Sequence, residues 1–204
     1  MRKRITVLAV AALLALVGVI GWQVLRPSDE PVYKGKRLTK WLVPHPYLEL
    51  NSSTTGILTP EAEEALRQIG SNAVPTLLRM LRARGSALKV KLMGLVQSQH
   101  VIKVEYIPAN IWNASALEGF KILGSDGQSA VPELIRIASD NFSATSTSCA
   151  ILSLVKVGPA ARQAVPYLAH WVTNSDKRLR FYSGMVLRDI DPEAAAKAGI
   201  TNAP

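Results

Sequence analysis

Chemistry in this 204-residue chain would have to come from few side chains. A metal site needs ligands clustered at helical or loop spacing. His45, His100 and His170 lie far apart and share no such neighbourhood with a cysteine or carboxylates. His170, beside Trp171, reads as a surface or structural histidine. Cys149 is the single cysteine, so no intramolecular disulfide can form, and its neighbours Ala150, Ile151 and Leu154 make it a small buried apolar group. Gly70 and Gly124 are isolated, with no Gly-rich phosphate loop and no Gly-x-Ser-x-Gly elbow. Glu61, Glu63 and Glu64 follow Thr59-Pro60. A capping threonine and a first-turn proline open a helix there, and the carboxylates complement its dipole. Asn51-Ser52-Ser53, Asn113-Ala114-Ser115 and Asn141-Phe142-Ser143 fit the glycosylation triplet, a motif short enough to recur by chance. No catalytic residue, metal ligand or cofactor is expected.

Charge offers a different chemistry. The chain has 24 Lys and Arg against 15 Asp and Glu. Four of the bases precede residue 27, leaving 20 against 15, a net of +5, which is no nucleic-acid signature by itself. The excess is concentrated between Ala65 and Val104, where no acid occurs. Arg79, Arg82, Arg84, Lys89 and Lys91 form the candidate patch for an acidic partner or anionic lipid heads. Its alternative is an ordinary solvated face, and the docking surface then falls to the helices of the last two repeated segments.

Those segments carry a phrase that recurs three times: Ala73-Val74-Pro75-Thr76-Leu77, Ala130-Val131-Pro132-Glu133-Leu134 and Ala164-Val165-Pro166-Tyr167-Leu168. Four segments align on Gly70, Gly124, Gly158 and Asp191. One residue before each anchor stand Ile69, Leu123, Val157 and Ile190, and four before stand Leu66, Phe120, Leu154 and Leu187. Ala65, Gly119, Ser153 and Val186 precede by five, and Ala62, Ala116, Ala150 and Ser183 by eight. Those offsets fall on one face of a helix, with small residues among bulky ones where helices must approach closely. The glycines are expected in the left-handed conformation common after a helix. Each Val-Pro pair opens a second helix, because a first-turn proline lacks only an N–H that had no partner. Leu77, Leu78 and Leu81, then Leu134 and Ile135, then Leu168 and Val172 supply its inward stripe. Pro132 and Pro166 are 34 residues apart, but Pro75 and Pro132 are 57 apart. Residues 86–112 must therefore hold an extra element, with a helical stripe of Leu88, Leu92, Leu95 and Val96 and a connector containing Pro108.

Repeated helix pairs of this kind resemble HEAT repeats, which implies an all-α fold: a short HEAT-like α-solenoid over residues 57–204. The closest local match is Asp176-Lys177-Arg178-Leu179-Arg180-Phe181-Tyr182-Ser183. In the family, the acid and arginine of that motif support packing between units. Tyr33-Lys34-Gly35-Lys36-Arg37-Leu38-Thr39-Lys40-Trp41-Leu42 is similar to the lead-in of bacterial membrane-anchored members. The resemblance also brings in two enzyme classes on HEAT-like folds. Bilin lyases need a chromophore pocket that no residues here identify. DNA glycosylases need access to the chromosome, which a membrane tether would deny.

Ile5 to Leu25 is a charge-free apolar run of 21 residues behind Arg2-Lys3-Arg4. At about 1.5 Å per residue it spans roughly 30 Å, the thickness of a bilayer core. A cleaved signal peptide is the rival reading, but the run ends in bulky residues where an Ala-x-Ala-like site is needed. The basic count on the two sides is nearly balanced, and the tight Arg-Lys-Arg cluster favours a cytoplasmic amino terminus with the repeats outside, periplasmic in a bacterium. Residues 1–4 are then a basic cytoplasmic end, 5–25 a transmembrane signal-anchor and 26–56 a linker with one short helix at 37–42. The expected function is a membrane-anchored, non-catalytic scaffold for a protein partner, with a bilin-lyase-like enzyme or enzyme accessory as the alternative and a basic nucleic-acid-binding solenoid behind it. Neither nucleic acid nor a small-molecule substrate is an expected ligand.

Overall fold

A computed structural model of the protein describes residues 29–43, 58–85 and 107–200. The apolar run 5–25, the stripe within 88–96, His45, His100, Lys89 and Lys91 lie outside these residues. Among the described residues no helix is long and apolar enough to cross a membrane.

The described chain is mostly helical. A two-stranded antiparallel hairpin, β1 (Val32–Tyr33) and β2 (Lys36–Arg37), leads into α1 (Leu38–Leu42). Then come α2 (Pro60–Ile69), α3 (Val74–Leu81), α4 (Ala109–Leu123), α5 (Val131–Asp140), α6 (Ala144–Val157), α7 (Val165–Trp171), α8 (Lys177–Ile190) and α9 (Pro192–Lys197). Within three helix pairs, 3-10 segments make the join: Gly70–Ala73, Gly124–Ala130 and Gly158–Ala164. The first is three residues shorter than the others, which is one 3-10 turn. That turn accounts for the shorter glycine-to-proline spacing of the first repeat. Pro108, expected in a connector, is the extended residue just before α4, and residues 109–112 already belong to that helix.

The repeated letters have separate structural duties. Ala73, Ala130, Ala164, Leu77, Leu134 and Leu168 are all completely buried, while the prolines between them are exposed in the first helical turn. Of the stripe residues on α2, α4, α6 and α8, only Ile69 and Ile190, at the helix ends, are half-buried. α4 packs against α2 and α3 on one side and α6 on the other, and α6 in turn meets α8. The small residues set that approach: a Cβ on Gly119 would lie 2.6 Å from Leu77 Cδ2.

The helix-ending glycines differ from expectation in one respect. Gly70, Gly124 and Gly158 have positive φ (57°, 52° and 80°), but their ψ values of −141°, −126° and −143° are far from the left-handed helical well. This combination turns the chain straight into the 3-10 segment, and side-chain sterics close it to most other residues. Asp191 ends α8 with ordinary extended φ, and its Oδ1 accepts from the Ala194 amide at 2.9 Å, so it also caps α9.

Residues 29–43 pack onto the helices. Leu38, Leu42 and Val43 belong to the buried apolar cluster that continues to Ala195. Trp41 packs against it and donates from Nε1 to the Tyr33 carbonyl at 3.2 Å. Lys34 and Gly35 both have positive φ, the requirement of a two-residue type I′ turn.

Buried polar groups tie successive pairs together. The last carbonyls of a helix have no partners within it. At the end of α3 they receive Asn113 Nδ2 from α4 (2.9 Å to Met80 O and 2.8 Å to Leu81 O) and Ser146 Oγ from α6 (2.6 Å to Leu81 O). Asn113 is completely buried, so its Asn-x-Ser triplet is closed to glycosylation in the folded chain. Asn141, in the left-handed conformation after α5, accepts from Thr147 Oγ1 at 3.1 Å and donates to Asp176 Oδ2 at 3.4 Å. Asp176 caps α8 by accepting from the Arg178 and Leu179 amides, and those backbone donors hold its carboxyl below the usual range. Its bond to Asn141 ties the end of α5 to the start of α8.

Candidate docking surface

Three of the five basic candidates lie in the described residues, and each is already engaged. Arg79 sits 3.7 Å from Glu30, which also accepts from the Thr39 amide. Arg82, at the end of α3, pairs with Glu133 on α5. Desolvation, followed by the nearby Arg136, lowers the Arg82 pKa from its ordinary value. Glu133 is held by Arg136 as well, with Nε at 3.0 Å and Nη2 at 3.1 Å, and Arg136 lies 3.8 Å from Asp140. Arg84 stacks over the Phe142 ring, 4.0 Å from its centroid. The acid-free stretch of sequence is thus met in space by Glu30 and Glu133, and Arg79, Arg82 and Arg84 join elements to one another, while Arg67 pairs with Glu63 within α2. Lys89 and Lys91 lie outside the described residues.

No reactive constellation comes together elsewhere in the described structure. Cys149 is buried, and desolvation raises its pKa to about 11, which suits a packing role. His170 is exposed at the end of α7. Among the described residues no group of three His, Cys, Asp or Glu side chains converges.

Among the described residues, the most distinctive surface is on α8. Its core stripe runs through Leu179, Ser183, Val186 and Leu187. Phe181, Gly184, Met185 and Arg188 fall at i, i+3, i+4 and i+7 on another side of the same helix. With Val172 and Ile200 they line an open groove of about 440 Å³. Gly184 shapes its floor, since a Cβ there would stand 3.3 Å from Ile200 Cδ1. Phe181 is 66% exposed, the largest value among the exposed bulky apolar side chains of the described residues. It rests edge-on against Tyr182, with ring centroids 5.3 Å apart.

Arginines flank this apolar strip. Arg180 lines the groove and donates to the Asn174 carbonyl at 2.8 Å, and neither it nor Arg188 has a carboxylate partner among the described residues. The lining includes no His, Cys, Ser, Thr, Lys or carboxylate. Such a surface can bury an apolar side chain and pair guanidinium groups with carboxylates. It has no nucleophile or general base. The sequence signal for it is a pair of bulky residues, Phe181 and Met185, one turn apart and off the core stripe of their helix.

No protein-family model matches the chain, and comparisons with curated proteins and with solved structures likewise find no match.

Proposed function

We propose that this protein is a membrane-anchored scaffold that docks a protein partner, and that its helix pairs form a short HEAT-like solenoid. Three helix–3-10–helix units with the same buried letters support the solenoid reading, since stacked units offer an extended surface. The apolar run at 5–25 supports the anchor, and the Arg-Lys-Arg cluster before it favours a cytoplasmic amino terminus with the solenoid outside. The single observation that carries the docking function is the exposed Phe181 beside half-buried Met185, between two arginines lacking carboxylate partners among the described residues.

The occupant that fits is an acidic amphipathic segment of a partner protein. Its apolar side chains would enter the groove and its carboxylates would meet Arg180 and Arg188, as aromatic and arginine anchors commonly do at interfaces. A labelled synthetic peptide of about 14 residues, four helical turns with leucine on one face and glutamate elsewhere, tests this against full-length protein in detergent. Its fluorescence anisotropy should report binding that weakens as salt rises. A counterpart with lysine for glutamate should not bind. Equal binding by the two peptides, or no binding by the acidic one, would overturn the groove as the docking site.

A further inference from the structure

The hairpin at the start of the described chain carries an exposed charge cluster that lies outside the groove. Lys34, Lys36, Arg37 and Lys40 are all exposed, against one exposed acid in residues 29–43, Asp29. The other acid of that segment, Glu30, is buried and holds Arg79 and the Thr39 amide. Two of the bases are set over aromatic rings: Lys34 Nζ lies 5.1 Å from the Tyr33 ring centre, and Lys36 Nζ 4.6 Å from that of Trp41. Between them the type I′ turn presents Lys34-Gly35, and Val32 is 60% exposed beside it. Leu38 and Leu42 are buried in the core, so the cluster is fixed rigidly to the helical domain.

From Leu25, where the apolar run ends, to Val32 is seven residues, a reach of at most about 25 Å. We infer that the hairpin is a second membrane contact, in which Lys34, Lys36, Arg37 and Lys40 hold the domain against an anionic lipid surface with Val32 at the headgroup level. This rests on the anchored reading of 5–25. Basic side chains close to an anionic leaflet each strengthen adhesion by about fivefold, and tethering removes the cost of finding the surface. A single point of attachment would let the domain turn about it. A second, rigidly built contact sets which side of the domain faces away from the bilayer.

The test uses full-length protein reconstituted into vesicles, with Val32→Cys carrying an environment-sensitive fluorophore. Cys149 is buried with a raised pKa, so labelling goes to the introduced thiol. In vesicles containing phosphatidylglycerol and headgroup spin-labelled lipid, the fluorophore should lose more than half its emission. The loss should disappear in purely zwitterionic vesicles, at about 1 M salt, where charges are screened beyond roughly 3 Å, and when Lys34, Lys36, Arg37 and Lys40 are all changed to Gln. Protein that floats with the vesicles but shows no quenching, or equal quenching in both lipids, overturns the hairpin contact and leaves the anchor standing. Protein that fails to float with vesicles overturns the anchor and the hairpin contact together. Helical circular dichroism of the Gln variant confirms that the loss is not unfolding.

Discussion

Replacing Phe120 by alanine is expected to destabilise the protein by about 3–5 kcal/mol, among the largest effects a single core truncation produces. The ring is completely buried at the central stripe position of α4. A Cβ on Gly127 would approach its Cδ1 at 3.2 Å and Val157 Cγ2 at 3.3 Å, so glycine is what lets the 3-10 segment close over the ring. That segment is held at both ends by helices, which leaves the cavity little means of collapsing. For a helical domain of this size the loss should lower the melting temperature by about 10 °C, read by circular dichroism at 222 nm in detergent. A shift within about 1 °C would mean that Phe120 is not a core residue.

The same substitution at Phe181 should have the opposite profile. Two-thirds of this side chain is in water, so stability should stay within about 0.5 kcal/mol of the parent. Affinity for the acidic amphipathic peptide should fall about 30-fold, the consequence of losing an interface anchor worth roughly 2 kcal/mol. Arg188→Glu should weaken binding by tenfold or more, because it replaces an attraction by a repulsion, and should reduce the salt dependence. Isothermal titration together with thermal melts separates the two effects. Unchanged affinity in both variants would remove the groove from the account.

Features that repeat locally were legible in the sequence. The stripe offsets, the Val-Pro helix starts, the helix-ending glycines, Thr59 as a cap and the burial of Cys149 all follow from neighbours within two helical turns. Pairings across longer separations were not. The stretch from Ala65 to Val104 reads as an unopposed basic surface, yet Glu30 and Glu133, both outside it, reach Arg79 and Arg82. Asn113 reads as part of a glycosylation triplet and acts as a buried cap for α3, because the carbonyls it serves belong to a helix 32 residues away. The hairpin has little sequence signature, because its turn is Lys-Gly, a weaker signal than Asn-Gly, between strands of two residues each. The groove was readable in principle. Periodicity analysis finds the dominant stripe of a helix, and Phe181 with Met185 forms a second one.

The central claim, that α8 docks an acidic segment of a partner protein, is tested most directly by photo-crosslinking from the groove itself. A benzophenone amino acid at Phe181 in the full-length, membrane-resident protein is compared with the same group at Gln163, an exposed residue outside the groove. Illumination followed by peptide mapping should give an adduct specific to position 181, on a segment with apolar residues at helical spacing and a net negative charge. Adducts of equal yield at both positions, or an adduct at 181 only to lipid or to a second copy of this chain, would contradict the account.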